Sequence, residues 1–434
     1  MKHCTAFLLL VACVLLPAQE AEWTPLFDGK TLDGWVNVQC APSTWTVKDS
    51  MIVCSGIPTG ILRSARMYEN FELELEYRHM KSGGNAGLFI WSDALTARGQ
   101  PFSRSIEVQV MDGVENPTYY TSHGDIFSIH GARMKPDRPH PHGWERCLPS
   151  EQRTRPSPEW NHYKVIASQG VLKLHVNGKE VSGATECTPR KGYICLESEG
   201  SECHFRNLRI RETAPATPPL DGAHCAALDE GFRSLYDGVG LSGWREAQGK
   251  EGHWKANDWV LAYDGTGSDL WSLADYGDFE MIVDWRLPAA SQEIARPVLG
   301  ADGTNAKDDR GKERTVLVKD AGDSGIYMRG STKAQVNIWC WPCGSGEVYG
   351  FRTDPATDAA KRASFMPRER ADAPLGQWNR FLIRLKGERL DVTLNGKRVL
   401  EGAQLTGIPA RGPIGLQSHG DAVEFANIYI RPLE

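Results

Sequence analysis

The sequence predicts an all-β protein built from two tandem antiparallel sandwiches, and three observations carry that prediction. Leu26-Phe27-Asp28-Gly29-Lys30-Thr31-Leu32-Asp33-Gly34-Trp35 returns as Leu235-Tyr236-Asp237-Gly238-Val239-Gly240-Leu241-Ser242-Gly243-Trp244, with Leu, Asp-Gly, Leu and Gly-Trp in register. Stretches such as Phe71-Glu72-Leu73-Glu74-Leu75-Glu76-Tyr77 alternate apolar and charged residues with the two-residue period of a half-buried strand. The chain is rich in Gly (44) and Trp (14), and long amphipathic helical patterns are hard to find. At 434 residues it is longer than one hydrophobic core usually organises, so two domains are the natural division.

The elements follow in order. Residues 1–21 read as a secretory signal: Met-Lys-His, an apolar run from Thr5 to Leu16, then Pro17-Ala18-Gln19-Glu20-Ala21. That run is too short to span a bilayer, so the expectation is a secreted or periplasmic protein. The alternative is a lipid anchor at Cys13, whose Leu10-Val11-Ala12 prefix resembles a lipoprotein cleavage box. The first sandwich is placed at 22–212, a Pro/Ala/Thr-rich linker at 213–229 and the second sandwich at 230–434. The repeat keeps its order throughout. Trp45 answers to Trp254, Phe71-Glu72 to Phe279-Glu280, Gly84-Asn85-Ala86-Gly87 to Gly322-Asp323-Ser324-Gly325, Trp160-Asn161 to Trp378-Asn379, and Phe205–Arg211 to Phe425–Arg431. Asn177-Gly178-Lys179 and Asn395-Gly396-Lys397 mark matching hairpins, because Asn-Gly supplies the positive φ of a tight turn. Two-sheet sandwiches of jelly-roll form result, with the curved inner face of one sheet the usual ligand site.

A net charge of −6 without a basic tract argues against a nucleic-acid binder. Of eleven cysteines, Cys4 and Cys13 fall in the leader. Export would permit disulfides, with Cys40/Cys54, Cys147/Cys187 and Cys195/Cys203 as trial pairs, although one sequence does not define connectivity. Cys340-Trp341-Pro342-Cys343 has redox spacing but strand-like flanks, and is read as a local pair or free thiols.

Several patches invite chemistry. The repeated Asp-Gly and Gly-Trp are read as turn and core plug. The glycine runs around Asn85 and Asp323 precede apolar strands rather than helices and so are not phosphate loops; a sugar or a neighbouring strand can approach there. Ile106-Glu107-Val108-Gln109-Val110 puts Glu107 and Gln109 on one face. If Gln335 of Ala334-Gln335-Val336-Asn337-Ile338-Trp339 aligns with Glu107, the second copy has an amide for a carboxylate. The stretch from Ser122 to Arg153 gathers His123, Asp125, His130, Arg133, Arg138, His140 and His142. It reads as a long loop able to bind a metal or shuttle protons, against the plainer reading of a solvated Pro/His-rich loop. Its spacing matches no structural zinc site, so a divalent metal ion stays an open expectation. Ser418-His419-Gly420-Asp421 echoes Ser122-His123-Gly124-Asp125 in letters but aligns by repeat position with Ser198-Glu199-Gly200-Ser201.

The twin openings, the Glu107-Val108-Gln109 strand, Glu159-Trp160-Asn161, Val176-Asn177-Gly178-Lys179 and the closing Phe-x-Asn-Leu/Ile-x-Ile strands resemble the 3-keto-disaccharide hydrolase domain family. The resemblance implies a concanavalin-A-like lectin/glucanase sandwich, bacterial export, and action on glycosides oxidised to a ketone at C3. A C3 ketone acidifies the C2 proton and leaves the C1 oxygen β to the carbonyl, so a base can drive out the aglycone. On that footing His123 or Glu107 is the expected base and His130 or Asp125 its partner, with a metal or Arg133/Arg138 on the oxyanion. Asn85 and Gln109 are expected to bind substrate. Catalysis is accordingly placed in the first copy, and the second, departing at Gln335, is expected to bind sugar without cleaving it, through Asp323, Gln335, Asn337, Trp339, His419 and Asp421. The competing reading is a noncatalytic tandem carbohydrate-binding protein, with a surface scaffold as a third.

Overall fold

In a computed structural model, residues 22–38, 40–112, 115–116, 120–121, 124–213, 231–238, 240–288 and 291–433 are described. The leader with Cys4 and Cys13, His123, Cys225 and all of the expected linker except Thr213 lie outside them.

Each copy is a pair of antiparallel sheets facing each other across one apolar core. In the first copy the back sheet runs, in spatial order, Arg133–Pro136, Lys179–Thr188, Val171–Val176, Asn161–Ser168, Phe71–His79, Cys203–Glu212, Met51–Cys54 and Trp45–Lys48. Its front sheet runs Arg146–Cys147, Ile126–Ile129, Ser105–Met111, Asn85–Ser92, Tyr193–Ser198, Gly60–Ser64 and Trp35–Val38. In the second copy the back sheet centres on Val423–Pro432, Phe279–Arg286 and Asn379–Lys386, and the front sheet runs Trp244–Arg245, Leu270–Tyr276, Gly412–Leu416, Ser324–Met328 and Ser331–Ile338. The sequence alternation is visible in the result: Phe71–His79 buries every second residue. At the hairpin, Asn177 and Gly178 adopt φ of 46° and 88°, which the twist of a tight two-residue turn requires.

The repeated signature packs rather than reacts. Trp35, Trp45, Trp244 and Trp254 are buried, and the Trp35 and Trp244 indoles donate to the carbonyls of Leu26 and Leu235 at 2.7 and 2.6 Å. Asp28 accepts the Lys30 and Thr31 amides as a turn.

Two expectations are corrected. The trial disulfides do not form: Cys40, Cys54, Cys147, Cys187, Cys195, Cys203, Cys340 and Cys343 are free thiols. Cys147 and Cys195 sit on the front sheet while Cys187 and Cys203 sit on the back sheet, and the residue opposite Cys54 is Cys203 rather than Cys40. The stretch from Ser122 to Arg153 is not one long loop either. Ile126–Ile129 and Arg146–Cys147 extend the front sheet and Arg133–Pro136 extends the back sheet.

The two copies stack front to back. Val38, Ile61, Phe89, Ala94, Tyr193 and Cys195 on the first copy's front side share one buried apolar cluster with Ile282 and Tyr429 of the second copy's back sheet, and Leu382 packs against it. Strand register explains why only the second back sheet accepts such a neighbour. Glu74 pairs with Lys164 and Arg209 in the first copy, and Ile282 pairs with Leu382 and Tyr429 at the same places in the second. Three charged residues of a solvated stripe have become three apolar ones.

A plug completes the joint. The turn after Asn85–Ser92 reaches across so that the Gly99 amide donates to Asp284 Oδ2 at 2.7 Å, while Arg380 and Asn427 donate to the carbonyls of Thr96 and Ala97 at 3.0 Å each. Asp284, fully buried, is held by Arg380 at 2.6 Å. Gly99 lies on Trp378 so closely that a Cβ there would fall 2.0 Å from the indole Cγ. In the first copy the corresponding Trp160 is covered by two guanidinium groups, Arg78 at 4.6 Å and Arg206 at 3.8 Å. The second copy keeps one of them, Arg286 over Trp378 at 4.7 Å, and has Ala426 in place of Arg206. The missing arginine is the room the plug occupies.

Candidate functional site

The front sheets present two polar faces in equivalent positions. Gly87 pairs with Gln109 and Phe89 with Glu107 in the first copy, as Gly325 pairs with Asn337 and Tyr327 with Gln335 in the second. Glu107 therefore answers to Gln335, Gln109 to Asn337 and Asn85 to Asp323. On the neighbouring strand Leu196 pairs with Leu88 and Leu416 with Ile326, which matches Glu197 to Gln417 and Glu199 to His419.

In the first copy Glu107 is one of three clustered acids. A Cβ on Gly87 would lie 2.9 Å from Glu107 Oε1 and 2.7 Å from Glu197 Oε2, so both carboxyls converge above that glycine and fill the space left for a ligand or strand. Asn85 bridges Glu199 and Gln109, accepting from Gln109 Nε2 at 2.8 Å. Burial is the main reason the Glu107 carboxyl is pushed up to about 8; the Glu199 charge adds to it and Arg146 opposes it. Burial first, then Glu107, pushes Glu197 well above the carboxylate range, and its Oε2 has no hydrogen-bond partner. Burial also raises Glu199, with Asp258 of the second copy adding to the effect.

The folded state thus binds protons that the unfolded chain releases. Stability from Glu107 is full below about pH 4.5 and is lost as pH rises through about 8. Glu107→Gln is expected to remove that slope, shrinking the Tm loss between pH 6 and 9 by roughly 5 °C in a thermal melt. An unchanged slope would show that Glu107 ionises without cost.

The other residues expected here are dispersed. Asp125 is buried and salt-bridged to Arg146 at 2.6 Å; Arg146 in turn covers Phe127, which pairs with Glu107, so Asp125 belongs to the edge of the cluster. His130 follows Ile129, which pairs with Ser105, and lies on an exposed turn beyond the strand end, away from Glu107. Arg133 lies on a back-sheet strand, exposed and paired to Glu145 at 2.8 Å. Arg138 donates to the carbonyls of Leu148 and Val181. Neither arginine joins the front-face acids. Among the described residues no group of three or more His, Cys, Asp or Glu is disposed to hold a metal ion, so no step is derived through one.

The second copy has an open cleft of about 360 Å³. It is lined by Asp323, Gln335, Asn337, Trp339, His419 and Asp421, the six residues expected to meet there, together with Arg296, Trp341, Tyr349 and Gln417. Trp339 and Trp341 stack at 4.2 Å and 5°, and the Trp339 indole is fixed by the Gly344 carbonyl at 2.7 Å. Gln335 donates to Gln417, so two amides stand where the first copy has two acids. Asn337 Oδ1 is buried without a partner. Asp323 is pushed up to about 7, chiefly by burial; His419 and Arg296 pull it down and Asp421 pushes it up. Arg296 comes from a two-stranded arm, Gln292–Pro297 with Thr315–Asp320, and is braced by Asp320 at 2.6 Å. Glu197, Glu199, Arg296, Trp341, Tyr349 and Gln417 were not singled out from the sequence. The first two carried a readable signal, since Glu197-Ser198-Glu199-Gly200 aligns with Gln417-Ser418-His419-Gly420 and repeats the acid-to-amide exchange.

Comparison with known proteins places these faces in context. A curated 3-keto-disaccharide hydrolase from Bacteroides thetaiotaomicron is 23% identical over 236 residues, covering 45% of this chain and 80% of that protein. A solved structure from Parabacteroides distasonis, provisionally described as a glycosyl hydrolase, is 20% identical with a TM-score of 0.34, covering 44% of this chain and 94% of that one. The carbohydrate-binding module CBM66 from Bacillus subtilis is 14% identical with a TM-score of 0.30, over 41% and 96% of the two chains. Residues 22–211 and 231–431 each match the 3-keto-alpha-glucoside-1,2-lyase-like domain, and with nearly the whole chain so covered, the protein belongs to that family as a two-copy member.

Proposed function

We propose that the chain cleaves glycosides already oxidised to a ketone at C3, and that the second copy's cleft does the chemistry. In this scheme a base takes the C2 proton and the electron pair passes into the C3 oxygen as an enolate. The C1–oxygen bond then breaks, and its electrons leave with the aglycone oxygen, which takes up a proton. Water finally adds its oxygen to C1 and a proton to C2, giving the free 3-keto sugar. The observation that carries the reading is Asp323, a half-buried carboxyl pushed up to about 7 in an open, aromatic-walled cleft. Asp323 and His419 are the groups able to move protons, while Arg296 and the amide of Gln417, whose oxygen is taken by Gln335, face the cleft as donors for a developing oxyanion. Trp339 and Trp341 offer the flat apolar surface that a sugar ring stacks on.

A second reading, binding of glycans without cleavage, draws on the replacement of the Glu107/Glu197 pair by Gln335/Gln417. Catalysis through Glu107 in the first copy is the competing assignment within the enzyme reading. Incubation with a 3-keto-glucoside and with the plain glucoside separates these. Turnover of the ketone alone supports the enzyme, and binding of plain glycan without turnover supports the lectin-like protein. Export is proposed from residues 1–21. N-terminal sequencing of the protein from its host tests it, with a start just after Ala18 or Ala21 expected and acylated Cys13 as the lipoprotein outcome.

A further inference from the structure

We infer that the second copy's front sheet carries, beside the cleft, a subsite for a flat aromatic aglycone; the inference rests on the cleft being the site of glycoside cleavage. The register draws one row across all five strands of that sheet. Gln335 pairs with Tyr327, Tyr327 with Gly415, Gly415 with Trp271 and Trp271 with Arg245. At the spacing of neighbouring strands the row runs ~19 Å from the cleft floor to the exposed Arg245. Trp271 and Tyr327 stack at 5.4 Å and 12°. Gly415 makes room for the indole, since a Cβ there would fall 2.7 Å from Trp271 Cζ3. Leu273, two residues along the same strand and on the same face, is 62% exposed.

The first copy shows what this row is suited to hold. Its own row, Glu107, Phe89, Cys195, Arg63 and Val36, follows the same pairings. There Phe89, Cys195 and Val36 lie in the apolar cluster formed with Ile282 and Tyr429 of the second copy. The equivalent row in the second copy is more aromatic; Tyr327 and Gly415 are buried within it, while Trp271 is half-buried and Arg245 exposed. A group leaving C1 of a sugar seated in the cleft would move along this row onto Trp271. A second pyranose would stack on Trp271 as the first does on Trp339 and Trp341, but the exposed Leu273 beside it offers its hydroxyls no partner, whereas an aromatic ring needs none and an acidic substituent on it would meet Arg245.

The test uses the full chain with 4-nitrophenyl and methyl 3-keto-glucosides, a 3-keto-disaccharide, and 4-nitrophenol alone. Trp271→Ala is expected to raise KM for the nitrophenyl substrate about ten-fold with kcat within about two-fold, and to leave KM for the methyl glycoside unchanged. The same variant is expected to weaken 4-nitrophenol binding, measured by calorimetry, by a similar factor. Leu273→Asp, on an exposed position that leaves the core intact, should act in the same direction. An unchanged nitrophenyl KM in both variants, or a lower KM for the disaccharide than for the nitrophenyl glycoside, overturns the subsite. Trp271-dependent binding of 4-nitrophenol without turnover of any 3-keto-glycoside keeps the subsite and overturns the reaction.

Discussion

Asp323→Asn is expected to lower kcat/KM toward a 3-keto-glucoside by about 10³-fold, the scale of losing a positioned acid–base group. The amide keeps the shape and polarity of the side chain, so substrate binding should change little and the loss should fall on kcat. The pH profile gives the sharper readout. Burial pushes the Asp323 carboxyl up to about 7, so its basic form accumulates as pH rises through neutrality, and wild-type kcat/KM should climb with unit slope up to that point. The residual activity of the variant should lack that limb. Near-normal turnover by Asp323→Asn, together with collapse in Glu107→Gln, would move the chemistry to the first copy.

Gly99→Val is expected to break the joint between the copies. Its Cβ has no space above Trp378, and the backbone, with φ of 65°, is one that β-branched residues resist. If the turn withdraws, Asp284 loses the amide that faces it and the apolar cluster around Phe89 and Ile282 opens to water. The combined cost should be about 3 kcal/mol or more. Ala426→Arg approaches the same joint from the other side, restoring the guanidinium that covers the matching tryptophan in the first copy. Both variants should melt in two steps, with faster amide exchange at Thr96–Gln100, while each domain keeps its strand content. A single unshifted transition would mean that the stack holds without its plug.

Much of the fold could be read beforehand because it rests on local rules. Alternation in Phe71–Tyr77 needs only a half-buried strand, and Asn177-Gly178 needs only a tight turn. In the second copy Asp323, Gln335, Asn337, His419 and Asp421 occupy repeat positions matched to polar residues in the first, whereas Trp339 answers to Met111, and the structure lines one cleft with all six. The stretch from Ser122 to Arg153 misled because its histidines and arginines are close in sequence, whereas strand assignment sends Asp125 to one sheet and Arg133 to the other. Glu197 was hidden by its distance from Glu107 along the chain; only the pairing of Leu196 with Leu88 brings them together. Arg296 comes from an arm added to the second copy, where the repeat offers no template, and Trp341 from a connection whose course differs between the copies. The stack itself had a signature, the exchange of Glu74, Lys164 and Arg209 for Ile282, Leu382 and Tyr429. It becomes meaningful only when register shows the three to be neighbours.

The covering of Trp160 by Arg206 bears on how far such a molecule can grow. A contact that joins the front of one unit to the back of the next is open-ended, and repeated between chains it would produce filaments. Here both ends are closed. The first unit's back carries its own arginine where an incoming turn would sit, and the second unit joins Ser324–Met328 to Ser331–Ile338 through Arg329-Gly330, too short to form a plug. Among the described residues, neither outer face therefore repeats the turn-on-tryptophan contact that joins the two units.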